Sequence, residues 1–165
     1  MVMSTITLRP VEDADLEIFF QQQCEPDGIW MAAFTAEDPT DRAQFDRHWA
    51  KIRADPGITM RAILADGVVV SNIACHGWFG DPEISYGILQ AFWGRGIATS
   101  ALEQFLVIVS ERPLYARIAS DNQRSRRVLE RHGFKQISSE WSYANARKGE
   151  IEEAIFQLDR HNQQA

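Results

Sequence analysis

Between residues 84 and 99 the chain reads Ile84-Ser85-Tyr86-Gly87-Ile88-Leu89-Gln90-Ala91-Phe92-Trp93-Gly94-Arg95-Gly96-Ile97-Ala98-Thr99: an extended segment, a glycine-bearing turn, then a helix. A helix start presents N–H groups and a partial positive charge, which suits a phosphate or diphosphate. Gly94 and Gly96 lack a Cβ, so the main chain can approach an anion closely, and Arg95 adds charge. A nucleoside triphosphate, a dinucleotide and coenzyme A all fit such a turn, as does a capped helix with no ligand. The triphosphate reading fails because no Gly-Lys-Ser/Thr follows the glycines. The dinucleotide reading has the right order of strand, Gly-x-Gly, helix and strand. Against it, Thr99 stands where a third Gly or Ala is expected, and Glu83, Ser85 and Gly87 interrupt the aliphatic run of a buried parallel strand.

The elements that must position this turn follow from periodicity and punctuation. Alternation over 5–8, ending at Arg9-Pro10, predicts a first strand. Asp13 is expected to cap a helix over 14–23 with Leu16, Phe19 and Phe20 on one face. Pro26, Gly28 and Pro39 mark a loop-rich stretch, and a further helix over 40–54 carries Phe45 and Trp49 until Pro56-Gly57 stops it. Strands over 59–64 and 68–78 meet at the Asp66-Gly67 turn, and a third covers 83–89. After Gly96, apolar residues at 98, 101, 102, 105 and 109 make a helical stripe that Pro113 ends. A strand over 114–119, a helix over 122–132 closed by Gly133, and strands over 134–143 and 154–158 around Arg147-Lys148-Gly149 complete the chain.

Composition bounds the function. With 165 residues, 45% of them hydrophobic and 24% charged, the chain suits one globular domain over 1–165, frayed from 160 onward. No apolar run approaches membrane length and the start lacks the marks of a signal peptide, so the expected compartment is cytoplasmic and no membrane partner is expected. A net charge of −6 argues against a nucleic-acid partner. Cys24 and Cys75 sit in no Cys-x-x-Cys pair and no zinc-ligand spacing occurs, so inert thiols and no metal are expected.

A second segment, Asn122-Gln123-Arg124-Ser125-Arg126-Arg127-Val128-Leu129-Glu130-Arg131-His132-Gly133-Phe134, follows the strand at 114–119. Together the two segments closely resemble the GNAT superfamily of N-acetyltransferases. That family pairs Gln/Arg-x-x-Gly-x-Gly/Ala with Asn-x-x-Ser/Ala, a short helix and Gly-Phe, separated by one helix and one strand. Trp93-Gly94-Arg95-Gly96-Ile97-Ala98-Thr99 and Arg127-Val128-Leu129-Glu130 look most like its ribosomal-protein N-terminal acetyltransferase, or Rim-type, branch. The specific match covers 83–134, and no motif covers 24–57. Ala91 stands where the family often has Gln or Arg, and Leu129 where other branches carry the tyrosine that protonates the departing thiolate.

The resemblance implies an α/β fold (α+β in some schemes): a mixed, mostly antiparallel sheet of about six to seven strands with a splayed parallel pair, flanked by about four helices. It implies acetyl transfer from acetyl-CoA to a primary amine by direct attack in a ternary complex. The acceptor would be a protein N-terminus or a small-molecule amine, and a homodimer is compatible. Ile88, Leu89, Trp93, Gly94, Arg95, Gly96, Ile97, Ala98, Thr99, Asn122 and Ser125 would meet coenzyme A, with the amide of Ile88 or Leu89 serving the oxyanion. The attacking amine must lose a proton, so a base is needed; Glu83 matches the catalytic glutamate of histone-type members, and a surface strand-end glutamate is the plain alternative.

Ser125 would support the thiolate or simply bond the backbone at a helix start, and Asn122 would hold pantetheine, cap the helix, or both. His76 is either a proton relay across the hairpin or a structural histidine. Tyr143 is an alternative acid or acceptor contact, and Trp30, Met31 and Phe34 either line the acceptor pocket or seal the core. The crowded Arg124, Arg126, Arg127 and Arg131 read as coenzyme A phosphate contacts or as a solvated face. Two other functions remain open on these residues: an acyl-CoA-binding domain without turnover, and a dinucleotide-binding domain.

Overall fold

The computed structural model describes residues 4–78 and 80–160. The expected frayed tail beyond 160 and the first three residues lie outside them. The elements are β1 (Ile6–Arg9), α1 (Asp15–Gln23), α2 (Pro26–Ala32), α3 (Arg42–Ala54), β2 (Thr59–Ala65), β3 (Val68–His76), β4 (Glu83–Tyr86), α4 (Ile97–Ile108), β5 (Leu114–Ala119), α5 (Gln123–Arg131), β6 (Lys135–Ala144) and β7 (Gly149–Leu158). A single turn of 3-10 helix at Gln90–Phe92 leads from β4 toward α4. The seven strands form one sheet in the order β1-β2-β3-β4-β5-β7-β6. Every neighbouring pair is antiparallel except β4 and β5.

Two helical layers cover the sheet because two helix faces are apolar. Ile97, Ala101, Leu102 and Phe105 of α4 are buried against Ile73, Ile84, Leu114 and Phe156, and Leu129 of α5 joins them. On the second core, Phe19 of α1 packs with Phe45, Trp49 and Ile52 of α3 over Ala62 of β2. Asp41 starts α3 by accepting the Gln44 N–H at 3.0 Å. The β2–β3 hairpin turns on Asp66 and Gly67, both at positive φ, which matches the twist of the flanking strands.

The helix total is one above expectation because 26–32 is helical: Pro26 stands at the first helical position, where its missing N–H costs nothing. Asp13 does not cap α1 with its side chain; it pairs with Arg53 at 2.6 Å. Instead Asp15 accepts the Glu12 N–H at 2.8 Å, along with two bonds from Arg9. β7 begins at Gly149 rather than 154, because the Ala144 carbonyl accepts the N–H groups of Arg147 and Lys148 and turns the chain tightly. β4 stops at Tyr86, short of 89, and this early stop opens the site.

Candidate active site

β4 and β5 pair only at Glu83 with Tyr115 and at Ile84 with Ala116. Beyond that point β4 leaves its parallel neighbour while staying near β3, since the Leu89 N–H donates to the Val70 carbonyl at 3.1 Å. Gly87 lies so close to α1 that an added Cβ would stand 2.7 Å from Gln22 Nε2. The strands therefore diverge over a cleft of about 860 Å³. Gly94, Gly96, Ile97, Ala98 and Thr99 line one end, Asn122 and Ser125 one wall, and His76, Glu83 and Trp78 the far end.

The turn into α4 has the form an anion requires. Among the described residues, the N–H groups of residues 94–99 donate to no protein acceptor. Gly94 and Gly96 have φ of 76° and 73°, which L side chains rarely adopt. Among the described residues, no atom beyond the two adjacent residues lies within 4 Å of where a Cβ would stand on either, so backbone conformation rather than crowding calls for glycine. Arg124, Arg127 and Arg131 of α5 also line the cleft, with Arg124 4.5 Å above the Trp93 ring. Arg126 turns away: it bonds Gln136 and the Ser120 carbonyl and covers Phe156. Arg95 is not among the lining residues and lies over Phe92. Trp93 Nε1 donates to the Ile88 carbonyl at 2.8 Å. The Ile88 N–H has no hydrogen-bond partner among the described residues, whereas the Leu89 N–H is committed to Val70. These amides and arginines are chemically suited to the phosphates of coenzyme A.

At the far end Glu83 is buried, and Arg117 of β5 donates to its Oε1 at 2.9 Å. His76, its cross-strand partner, brings Nε2 to 3.5 Å from Glu83 Oε2 and stacks on Trp78. Arg117 also reaches Glu140 and Glu153, each at 3.3 Å. Burial pushes the Glu83 carboxyl above the ordinary glutamate value, and the Arg117 guanidinium pulls it part of the way back. The same burial holds the His76 imidazole below its ordinary value, so it is neutral at pH 7. A carboxylate with a raised pKa beside a neutral imidazole can accept and pass a proton.

Asn122 caps α5 through Oδ1, which accepts the Ser125 N–H at 3.2 Å, and its Nδ2 reaches the Met31 carbonyl at 3.4 Å. Ser125 Oγ makes no hydrogen bond to the backbone among the described residues. Met31 and Phe34 line the cleft. Trp30 does not: it is 56% exposed and sits 4.4 Å beneath the Arg147 guanidinium. Tyr143, on exposed β6, also stands apart from the cleft.

Sequence reasoning missed Tyr86, Arg117 and Glu153, which line the cleft as well. A strand period of two signals the first, since Tyr86 shares a face with Ile84. Arg117 was visible as a lone charge inside Leu-Tyr-Ala-Arg-Ile-Ala. Both cysteines are free, and burial pushes the Cys75 thiol up to about 11, which makes it inert. Among the described residues no helix is long and apolar enough to cross a membrane.

Comparison with known proteins gives this architecture its class. Residues 5–135 match the acetyltransferase (GNAT) domain family, and the chain belongs to that family and is an acyltransferase. Its likeness runs toward the ribosomal branch. It is 31% identical over 144 residues, 78% of this chain and 77% of the relative, to "Putative ribosomal N-acetyltransferase YdaF" of Bacillus subtilis (strain 168). Mycobacterium smegmatis RimJ, solved with a CoA-disulfide, superposes with a TM-score of 0.81 at 20% identity, over 97% of this chain and 84% of that one. The Vibrio cholerae spermidine N-acetyltransferase, solved with CoA and spermine, gives 0.74 at 15% identity, over 92% and 95%. At those two identities the likeness is one of fold.

Proposed function

We propose that this protein transfers the acetyl group of acetyl-CoA directly to a primary amine held in the same cleft. The observation that carries the reading is the pairing of two features in one cavity: the uncommitted N–H groups of residues 94–99 at one end and the buried Glu83 carboxylate at the other. The bound thioester supplies the activated acyl carbon; the rest falls to the chain. Gly94, Gly96, Ile97, Ala98 and Thr99 hold the diphosphate through their amides, and Trp93 orders the approach by fixing the Ile88 peptide. Asn122 holds α5 against the pantetheine arm. The Ile88 amide donates to the developing oxyanion, while the Leu89 amide is committed to the Val70 carbonyl and holds the chain beyond β4 near β3.

Glu83 takes the amine proton, directly or through a water passed along by His76. Ser125 faces the departing sulfur. Met31, Phe34 and Trp78 shape the acceptor end, and Arg147 keeps α2 in place by donating to the Trp30 carbonyl at 2.9 Å and to Asp121. The acceptor is a protein N-terminus or a small-molecule amine. The name of the YdaF relative favours the former, and the spermine complex of the Vibrio neighbour keeps the latter in view.

Thiol release from acetyl-CoA tests this, followed across short peptides with free N-termini, polyamines and aminoglycosides, with product masses checked for one acetyl group. Amine-dependent release with an acetylated product is the expected result. Tight coenzyme A binding with no release under any amine would replace the reading with a non-catalytic acyl-CoA-binding domain.

A further inference from the structure

The reaction needs a group to meet the negative charge that builds on sulfur, and α5 offers a buried Leu129 where a phenol would otherwise serve. The cleft holds a different phenol. Tyr86 ends β4, the strand that diverges, and both it and Ser125 line the cavity. The Tyr86 hydroxyl is buried and, among the described residues, makes no hydrogen bond of ordinary geometry. A polar oxygen left in that condition costs about 1–3 kcal/mol. A phenylalanine would avoid that cost with the same ring, so the hydroxyl points to a use. Ser125 is the cleft side chain that bears on it. Asn122 caps α5 through the Ser125 N–H, which leaves the serine Oγ without a backbone partner among the described residues.

We propose that Tyr86 is the positioning residue for Ser125: its hydroxyl donates to Ser125 Oγ and thereby turns the serine's own O–H toward the sulfur of bound coenzyme A. A serine oxygen that accepts from a phenol has its single hydrogen left to give, and the cleft is the open direction. Burial pushes Tyr86 up to about 12, so it remains a donor at every physiological pH. A thiol titrates near 8.5, so the phenol keeps its proton. When the carbon–sulfur bond breaks, the electron pair stays on sulfur, two hydrogen bonds in series stabilise it, and the sulfur takes its proton from solvent. This inference rests on the acetyltransferase reading above.

Its test needs no acceptor. The thiol of coenzyme A bound to the protein is titrated by the ultraviolet absorbance of its thiolate, in the wild type, Tyr86→Phe, Ser125→Ala and the double variant. Coenzyme A affinity is measured in parallel by calorimetry. A donor to sulfur lowers the thiol pKa, and one hydrogen bond to a charged group corresponds to roughly one to two units. Ser125→Ala is expected to raise the bound thiol's pKa by about one unit, and Tyr86→Phe by about half of that, each titrated at coenzyme A saturation as fixed by its measured affinity.

The double variant should match Ser125→Ala, because the tyrosine acts through the serine. Arg124 and Arg127 also face the cleft but bear on all four proteins alike. An unchanged thiol pKa in Tyr86→Phe would overturn the proposal and leave the acetyltransferase reading standing. A shift that persists in the Ser125→Ala background would overturn it too, by showing that the phenol acts alone. Failure of the wild type to bind coenzyme A would remove both.

Discussion

Replacing Gly96 with valine strikes the turn where conformation and binding coincide. Gly96 has φ of 73° and precedes α4 directly. A β-branched residue there costs about 1–3 kcal/mol in backbone strain, so the peptide relaxes toward negative φ. That rotation swings the amides of residues 96–98 away from a common centre. Each amide bond to a charged phosphate oxygen contributes about 1.5–3 kcal/mol. Losing two of them amounts to about 3–6 kcal/mol, or about a hundredfold to ten-thousandfold in affinity.

The control is Gly67→Val. Gly67 has a φ of 80° and equally open surroundings, but lies in the β2–β3 hairpin and does not line the cleft. Calorimetric titration with coenzyme A, alongside thermal melting, separates the two effects. Both variants should melt earlier by a similar amount, since both carry the same strain. Gly67→Val should bind coenzyme A as wild type does, and Gly96→Val at least a hundredfold more weakly. Equal affinity in the two variants would refute the claim that the geometry of this turn sets binding.

Two further outcomes follow from the charges. Arg117→Gln removes the cation that pulls the Glu83 carboxyl back toward its ordinary value, so the carboxyl rises further under burial. The base must be ionised, so the acid limb of kcat/KM should move to higher pH; an unmoved limb would take Glu83 out of the proton path. Asp15→Ala removes the bonds from Arg9 at 2.6 and 2.9 Å and from the Glu12 N–H at 2.8 Å. Arg9 reaches solvent and partly rehydrates, so the loss is about 2–3 kcal/mol, or roughly 5–10 °C in Tm. Because Arg9 lowers the Asp15 pKa, this stability is complete above the ordinary value of 3.8 and disappears as pH falls through the lowered one. The gap in Tm between wild type and variant should therefore close in acid, and a gap that widens there would contradict the assignment.

What the sequence disclosed was local. The 94–99 turn, the α4 stripe, the Asn122 cap and the β5 bounds each depend on near neighbours, and each is found close to where the pattern places it. α2 escaped because Pro26 and Gly28 mark a loop by composition, while tertiary ties hold the segment helical: the Gln90 N–H bonds Glu25, and Arg147 bonds the Trp30 carbonyl. The end of β4 was similarly invisible, for it depends on Gly87 meeting Gln22 and on the Leu89 amide reaching Val70. Arg117 joining Glu83 to Glu140 and Glu153 requires four strands in register, which no single segment records.

The central claim is that main-chain amides of residues 94–99 grip the diphosphate, and amide-resolved NMR during a coenzyme A titration examines it atom by atom. The account predicts that amide protons in Gly94, Gly96, Ile97, Ala98 and Thr99 move downfield as they enter charged hydrogen bonds, in step with the binding isotherm, while Asp66 and Gly67 remain still. Saturating coenzyme A with those amides unmoved would contradict it.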